Sequence, residues 1–166
     1  SARGDGYVDM LATELVLPEG KLITPVDLGA AAACGHPYLE VRRRPRVAIF
    51  PTGSELVEPG QPTGIGRIPD SNSYALTAAA TEAGAMAYRV GIVPDEPQQF
   101  LDTLEDQLIR ADAIVTSGGV SVGAYDVVKE VLSRLGTVSF HRVAMQPGKP
   151  QGFGFVGEDS TPIITL

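Results

Sequence analysis

Short apolar runs and amphipathic stretches alternate along most of this chain. Runs at residues 47–50, 86–93, 113–115, 138–143, 151–156 and 162–166 have the length of strands. Between them apolar residues recur at helical spacing. Phe100, Leu101, Leu104 and Leu108 share one face of a helix predicted over 97–110, with Asp102, Glu105 and Asp106 opposite. Val127, Val128, Val131, Leu132 and Leu135 repeat the pattern, and Gly136 stands where a glycine ends a helix. Asp70-Ser71-Asn72-Ser73 opens another helix, past Tyr74, Leu76 and Ala80 to Gly84. Residues 57–69 are rich in Pro and Gly and read as loop. Strands alternating with helices imply a three-layer α/β fold, a mostly parallel sheet with helices on both faces.

Residues 1–44 follow a different pattern. Residues 1–10 are polar, and 15–17 read as a short strand entering the turn Pro18-Glu19-Gly20. Thr24 is the expected N-cap of a helix, with Pro25 at N1 and Asp27 at N3, in a capping-box arrangement. That alanine-rich helix ends at Gly35, and Cys34 within it is expected to be a buried small apolar residue. Residues 38–41 read as a second short strand. Arg42-Arg43-Arg44 before Pro45 reads as a solvated linker. A domain boundary is expected there. Residues 1–44 form a small α+β segment ending a preceding domain, and 45–166 form the α/β domain.

In open α/β sheets, ligands bind beyond the C-terminal ends of the strands. Glu55 follows the first strand, Asp95 the second and Asp126 the third, while Asp70 opens a helix. Singly, each reads as a turn or capping residue. The third strand also runs into Ser117-Gly118-Gly119, a loop whose backbone can approach an anion closely. It matches neither the Walker nor the dinucleotide fingerprint, and Asp126 either caps the following helix or holds a metal. Acids and loop along one sheet edge point to a cleft that handles metal or anions.

Charge narrows the partners. With 20 acidic against 13 basic residues the net charge is −7, which argues against a nucleic-acid polymer. A local pocket for a small anion remains compatible with it. The single cysteine suits a reducing compartment, and a cytoplasmic location is expected. No apolar run is long enough for a membrane helix, so no membrane partner is expected. His36 and His141 are the two histidines, lack spacing for a shared metal, and read as structural.

Several strings together resemble the molybdopterin molybdenumtransferase family, which includes the C-terminal part of gephyrin. They are T-G-S-E-L at 52–56, D-S-N at 70–72, S-G-G-V-S-V-G at 117–123 with Asp126, and Q-P-G-K-P at 146–150. The resemblance covers nearly the whole chain and implies a molybdopterin-binding α/β domain over 45–166. It implies an enzyme of molybdenum cofactor biosynthesis. That enzyme inserts molybdenum from molybdate into adenylylated molybdopterin, releasing AMP, with Mg²⁺ as metal. By the same resemblance Glu55, Asp95, Asp126 and Asp9 are catalytic, and Glu55 and Asp126 hold the metal. Thr52, Gly53, Asp70, Ser117, Gly118, Gly119, Ser121, Gly123, Arg142, Gln146 and Lys149 are implied to bind substrate. The amides of Gly118 and Gly119 are implied to meet phosphate oxygens, with Arg142 and Lys149 supplying positive charge.

The chain departs from the family at some positions. Ser54 stands where many members have Asp, Gln146 where many have Lys, and the Y-V-D-M surroundings of Asp9 differ. The family's next loop would follow Leu166, so the chain is read as a fragment of a homodimeric enzyme with little or no activity alone. Two alternatives stay open. One is a relative of the same fold that adenylylates molybdopterin or processes a nucleotide. The other is a non-catalytic pterin-binding or scaffold module.

Overall fold

The computed structural model describes residues 15–118, 127–135, 137–146 and 148–166. The chain divides into two compact units that meet between Arg43 and Arg44.

In the first unit the described residues contain one helix, α1 (Pro25–Ala33). Its start is the capping box expected from Thr24 and Asp27. The Thr24 hydroxyl accepts from the Asp27 amide, and the Asp27 carboxylate accepts from the Thr24 amide at 2.9 Å. Lys21 adds an ion pair to the same carboxylate. Asp27 is consequently held down to about pKa 2, chiefly by the Lys21 hydrogen bond and then by those of Thr24. Three expectations fail here. Residues 15–17 and 38–41 are not strands: Leu15, Tyr38 and Val41 are exposed, and the described residues offer them no pairing partner. The unit therefore lacks the β part of the expected α+β segment among its described residues. Cys34 is exposed rather than buried, because the helix buries only Asp27 and Ala31.

The second unit is built on β1 (Arg46–Pro51), β2 (Leu56–Val57), β3 (Ile68–Pro69), α2 (Asn72–Glu82), β4 (Met86–Arg89) and α3 (Pro97–Leu108). Its second half contains β5 (Ala113–Ser117), α4 (Val127–Leu135), β6 (Val138–Arg142), β7 (Pro150–Val156) and β8 (Thr161–Thr165). Six strands form one sheet in the order β4-β1-β5-β8-β7-β6. The first four run parallel, β7 runs against β8, and β6 runs against β7. β6 therefore points the same way as β1, β5 and β8. The mostly parallel α/β fold expected from the sequence is observed. The stretch 57–69, expected to be loop, instead begins in β2 and ends in β3, which pair as Leu56 joins Ile68 and Val57 joins Pro69.

Alternation along the strands sends Ala48 and Phe50 to the same face as Ile114 and Ile163. There they pack with Phe100 and Leu104 of α3 and Val128, Val131 and Leu132 of α4. Phe50 and Phe100 meet edge to face at 6.2 Å. Each wholly buried Leu or Phe side chain stabilises the fold by about 1.5–3 kcal/mol. The chain leaves β1 through α2 to β4 on one side, then returns through α3 to β5 on the other. Right-handed crossovers put those two helices on opposite faces. At the strand starts, Arg46 and Asp112 lock β1 to β5. The Arg46 amide donates to Asp112 at 2.8 Å and its guanidinium adds two bonds at 3.2 Å. Among the described residues no helix is long and apolar enough to cross a membrane.

Candidate functional site

The C-terminal edge of the parallel strands is stitched together by backbone bonds. The Thr52 amide donates to the Ser117 carbonyl at 2.9 Å, linking the ends of β1 and β5. The Gly53 amide donates to the Val93 carbonyl at 3.1 Å, and the Val93 amide to the Pro51 carbonyl at 2.9 Å. Beyond β5, the Gly118 amide donates to the Leu166 carbonyl at 3.0 Å. Thr52, Gly53 and Ser117, all expected in a substrate site, are thus neighbours and buried.

Among the described residues, two carboxylates leave this edge. Glu55 and Asp95 are both exposed, on the loops after β1 and β4. Asp95 is held through Ser54: the Ser54 amide donates to Asp95 Oδ2 at 2.9 Å, and the Asp95 amide donates to Ser54 Oγ at 3.1 Å. Glu55 folds back over Gly53, where a Cβ would lie 2.7 Å from its Oε2. A side chain at 53 would displace that carboxylate, so glycine there is part of the site's shape. Carboxylate oxygens are hard donors of the kind Mg²⁺ takes, so the residues fit that ion chemically. Among the described residues, no group of three or more His, Cys, Asp and Glu is arranged to hold a metal.

Gly118 differs from its expected role. Its amide, implied to meet a phosphate oxygen, is engaged by Leu166 instead. Its φ of 94° is one that glycine favours, and a Cβ there would come within 2.3 Å of the Thr52 carbonyl oxygen. What Gly118 supplies here is close approach between the ends of β5 and β1.

Asp70 sits in a separate network. It is buried beside the start of α2, where it accepts from the Ser73 amide at 3.1 Å and from the Ser73 hydroxyl. Arg89, from β4, donates to Asp70 at 3.0 Å, to both oxygens of Glu58 at 3.1 and 3.2 Å, and to Ser73 Oγ at 2.6 Å. Its guanidinium lies 3.8 Å from the centre of the Tyr74 ring, whose hydroxyl bonds Glu58 at 3.2 Å. Burial opposes the charge of Arg89, but its hydrogen bonds to Glu58 and Asp70 outweigh that and hold its pKa above the usual value. Burial, and then the bond to Glu58, pushes the Tyr74 phenol up. Arg89 and Glu58 were not among the residues expected to matter. A lone Arg inside the apolar run 86–93 was the available signal, because a charge in a strand needs a partner.

Arg142 ends β6, and Gln146 and Lys149 follow on the connection to β7; all three are exposed. The Val143 amide bonds the Lys149 carbonyl at 2.8 Å, closing that hairpin. Because β6 points the same way as β5, these residues emerge on the same sheet edge as Ser117. They lie three strands away, or about 14 Å at ordinary strand spacing. Asp9, Gly119, Ser121, Gly123 and Asp126 lie outside the described residues.

A family described as a probable molybdopterin binding domain matches residues 48–166. The chain is 46% identical over 164 residues to molybdopterin molybdenumtransferase 2 of Mycobacterium tuberculosis, covering 95% of this chain and 40% of that protein. The crystal structure of the molybdopterin biosynthesis moea protein from Pyrococcus horikoshii superposes with a TM-score of 0.73 at 30% identity, over 91% of this chain and 37% of that one. The tungsten cofactor synthesizing protein MoaB from Pyrococcus furiosus shares the fold alone. Its TM-score is 0.57 at 15% identity, over 76% of this chain and 83% of its own. The chain thus spans about two fifths of the length of the transferase it matches.

Proposed function

Because the chain belongs to the family of probable molybdopterin binding domains, we propose that it is the pterin-binding part of a molybdenum-inserting transferase. The whole enzyme takes adenylylated molybdopterin and molybdate, places molybdenum on the dithiolene and releases AMP. In this reading residues 45–166 are the pterin-binding domain and 1–44 the end of the preceding one. The complete protein acts as a homodimer in the cytoplasm.

One observation carries the reading at the level of residues. Glu55 and Asp95 leave different strands at the ligand-binding edge, and Ser54 ties their two loops together. A pyrophosphate-bearing ligand at that edge needs its charge balanced. Mg²⁺ held by Glu55 and Asp126 would neutralise pyrophosphate oxygens when bound. Asp95 and Asp9 are the further acids proposed to be catalytic. Thr52, Gly53 and Ser117, at the joined ends of β1 and β5, are proposed to contact the substrate, as are Gly118, Gly119, Ser121, Gly123 and Asp70. Arg142, at the end of β6, and Lys149, on the β6–β7 connection, bring positive charge, and Gln146 offers an amide donor there.

The test is calorimetric titration of this chain with adenylylated molybdopterin, with and without Mg²⁺. Metal-dependent binding that Asp126→Ala weakens, with the fold intact, supports the reading. Binding unchanged in Asp126→Ala removes that residue from the site, and no binding in either condition counts against the chain as a self-sufficient pterin site.

A further inference from the structure

We infer that Arg89 is a positioning residue for Glu55, acting through the short ribbon formed by β2 and β3. The inference rests on the proposed role of Glu55 in binding the metal and pterin. Glu55 immediately precedes β2, and its carbonyl accepts from the Ile68 amide at 2.9 Å. The ladder continues as the Asp70 amide donates to the Val57 carbonyl at 2.9 Å. Glu55 is therefore the first rung of the ribbon, and its backbone can be only as well placed as the ribbon is.

The ribbon cannot hold itself. It has two residues in each strand, Ile68 is exposed, and Leu56 and Val57 are only half-buried. A pair of strands this short is at best marginal in water without outside support. Arg89 supplies that support from the edge of the main sheet. Glu58 follows β2 and Asp70 follows β3, and one guanidinium nitrogen bonds both at 3.0 to 3.2 Å. Arg89 itself is anchored in the sheet, in register with Ile49 of β1. A planar fork stacked on Tyr74 suits this task, because its donors are already arranged in one plane. The clasp thus fixes the distance between Glu55 and the sheet edge from which Thr52 and Ser117 project.

Hydrogen exchange and a double-mutant cycle test this on the 166-residue chain. In Arg89→Met the amides of Ile68 and Asp70 are expected to exchange about tenfold faster, with the Thr52 and Val93 amides unchanged. Unchanged exchange at Ile68 and Asp70 overturns the clasp, whether or not any ligand binds. Glu58→Ala removes one arm without touching the buried Asp70, and is expected to speed exchange at Ile68 even if Arg89→Met fails to fold. For positioning, the Mg²⁺ concentration that half-saturates binding of adenylylated molybdopterin is expected to rise about tenfold in Arg89→Met and less in Arg89→Lys. In a Glu55→Gln background Arg89→Met should add nothing further, because the two act through one group. An equal rise in both backgrounds means that Arg89 is only structural. Glu55→Gln binding like the parent instead overturns the site reading itself, and the exchange result then stands apart from it.

Discussion

The Ser54 amide donates to the Asp95 carboxylate at 2.9 Å, and the Asp95 amide returns a bond to the Ser54 hydroxyl at 3.1 Å. This reciprocal pair joins the loop that carries Glu55 to the loop after β4. Asp95→Asn keeps an acceptor for Ser54 but removes the charge. It is expected to change stability by less than about 0.5 kcal/mol and to weaken Mg²⁺-dependent pterin binding about tenfold. Asp95→Ala also loses the acceptor and should lower stability by about 1 kcal/mol. Calorimetric unfolding and ligand titration separate the two effects. Equal binding by Asp95→Asn and the parent would assign Asp95 to loop structure alone.

Gly118→Ala is expected to be severe. Its Cβ would lie 2.3 Å from the Thr52 carbonyl oxygen, which is backbone and cannot swing aside, and its φ of 94° is unfavourable for alanine. Denaturant unfolding should show a loss of at least about 2 kcal/mol. A loss below half of that would mean that the ends of β1 and β5 separate easily.

Thr116 and Thr165 stand opposite each other on β5 and β8, wholly buried, and neither hydroxyl has a hydrogen-bond partner among the described residues. An unpartnered buried hydroxyl is destabilising, so Thr116→Val is expected to be neutral or to stabilise by about 1 kcal/mol. Urea midpoints measure this. A loss of more than about 1 kcal/mol would show that the hydroxyl bonds an ordered water.

Asp27 gives the first unit an acid-sensitive contact. Folding lowers its pKa from the ordinary 3.8 to about 2 through Lys21 and then Thr24. The contribution is complete above 3.8, declines as the pH falls toward 2, and is lost below that. Amide shifts of Thr24 and Asp27 followed by NMR should titrate with a midpoint near 2, and Asp27→Asn should show no such transition. A midpoint at the ordinary value would mean that the Lys21 bond does not hold the carboxylate in solution.

The candidate site was legible where its chemistry is local. Glu55 and Asp95 stood out because each follows an apolar run, and Gly118 because a glycine pair breaks one. Their partners were not legible. Ser54 reads as a turn residue until the fold brings Asp95, 41 positions away, against its amide. The same holds for Arg89, whose acidic partners are 31 and 19 positions distant. The engagement of the Gly118 amide by Leu166 likewise depends on β8 lying beside β5, which no spacing in the chain announces.

Periodicity and caps are properties of neighbouring residues, and they determined the elements. The face of α3 bearing Phe100 and Leu104 is buried as its spacing requires, and the Thr24–Asp27 box closes within three residues. Strand order is different in kind. The sequence β4-β1-β5-β8-β7-β6, and the reversal of β7 within it, depend on which apolar faces meet across the whole domain. Apolar residues at 15–17 and 38–41 have strand-like composition, yet no described partner strand takes up their backbone groups, and they stay unpaired. A strand exists only when another strand accepts its hydrogen bonds, and that condition belongs to the folded chain.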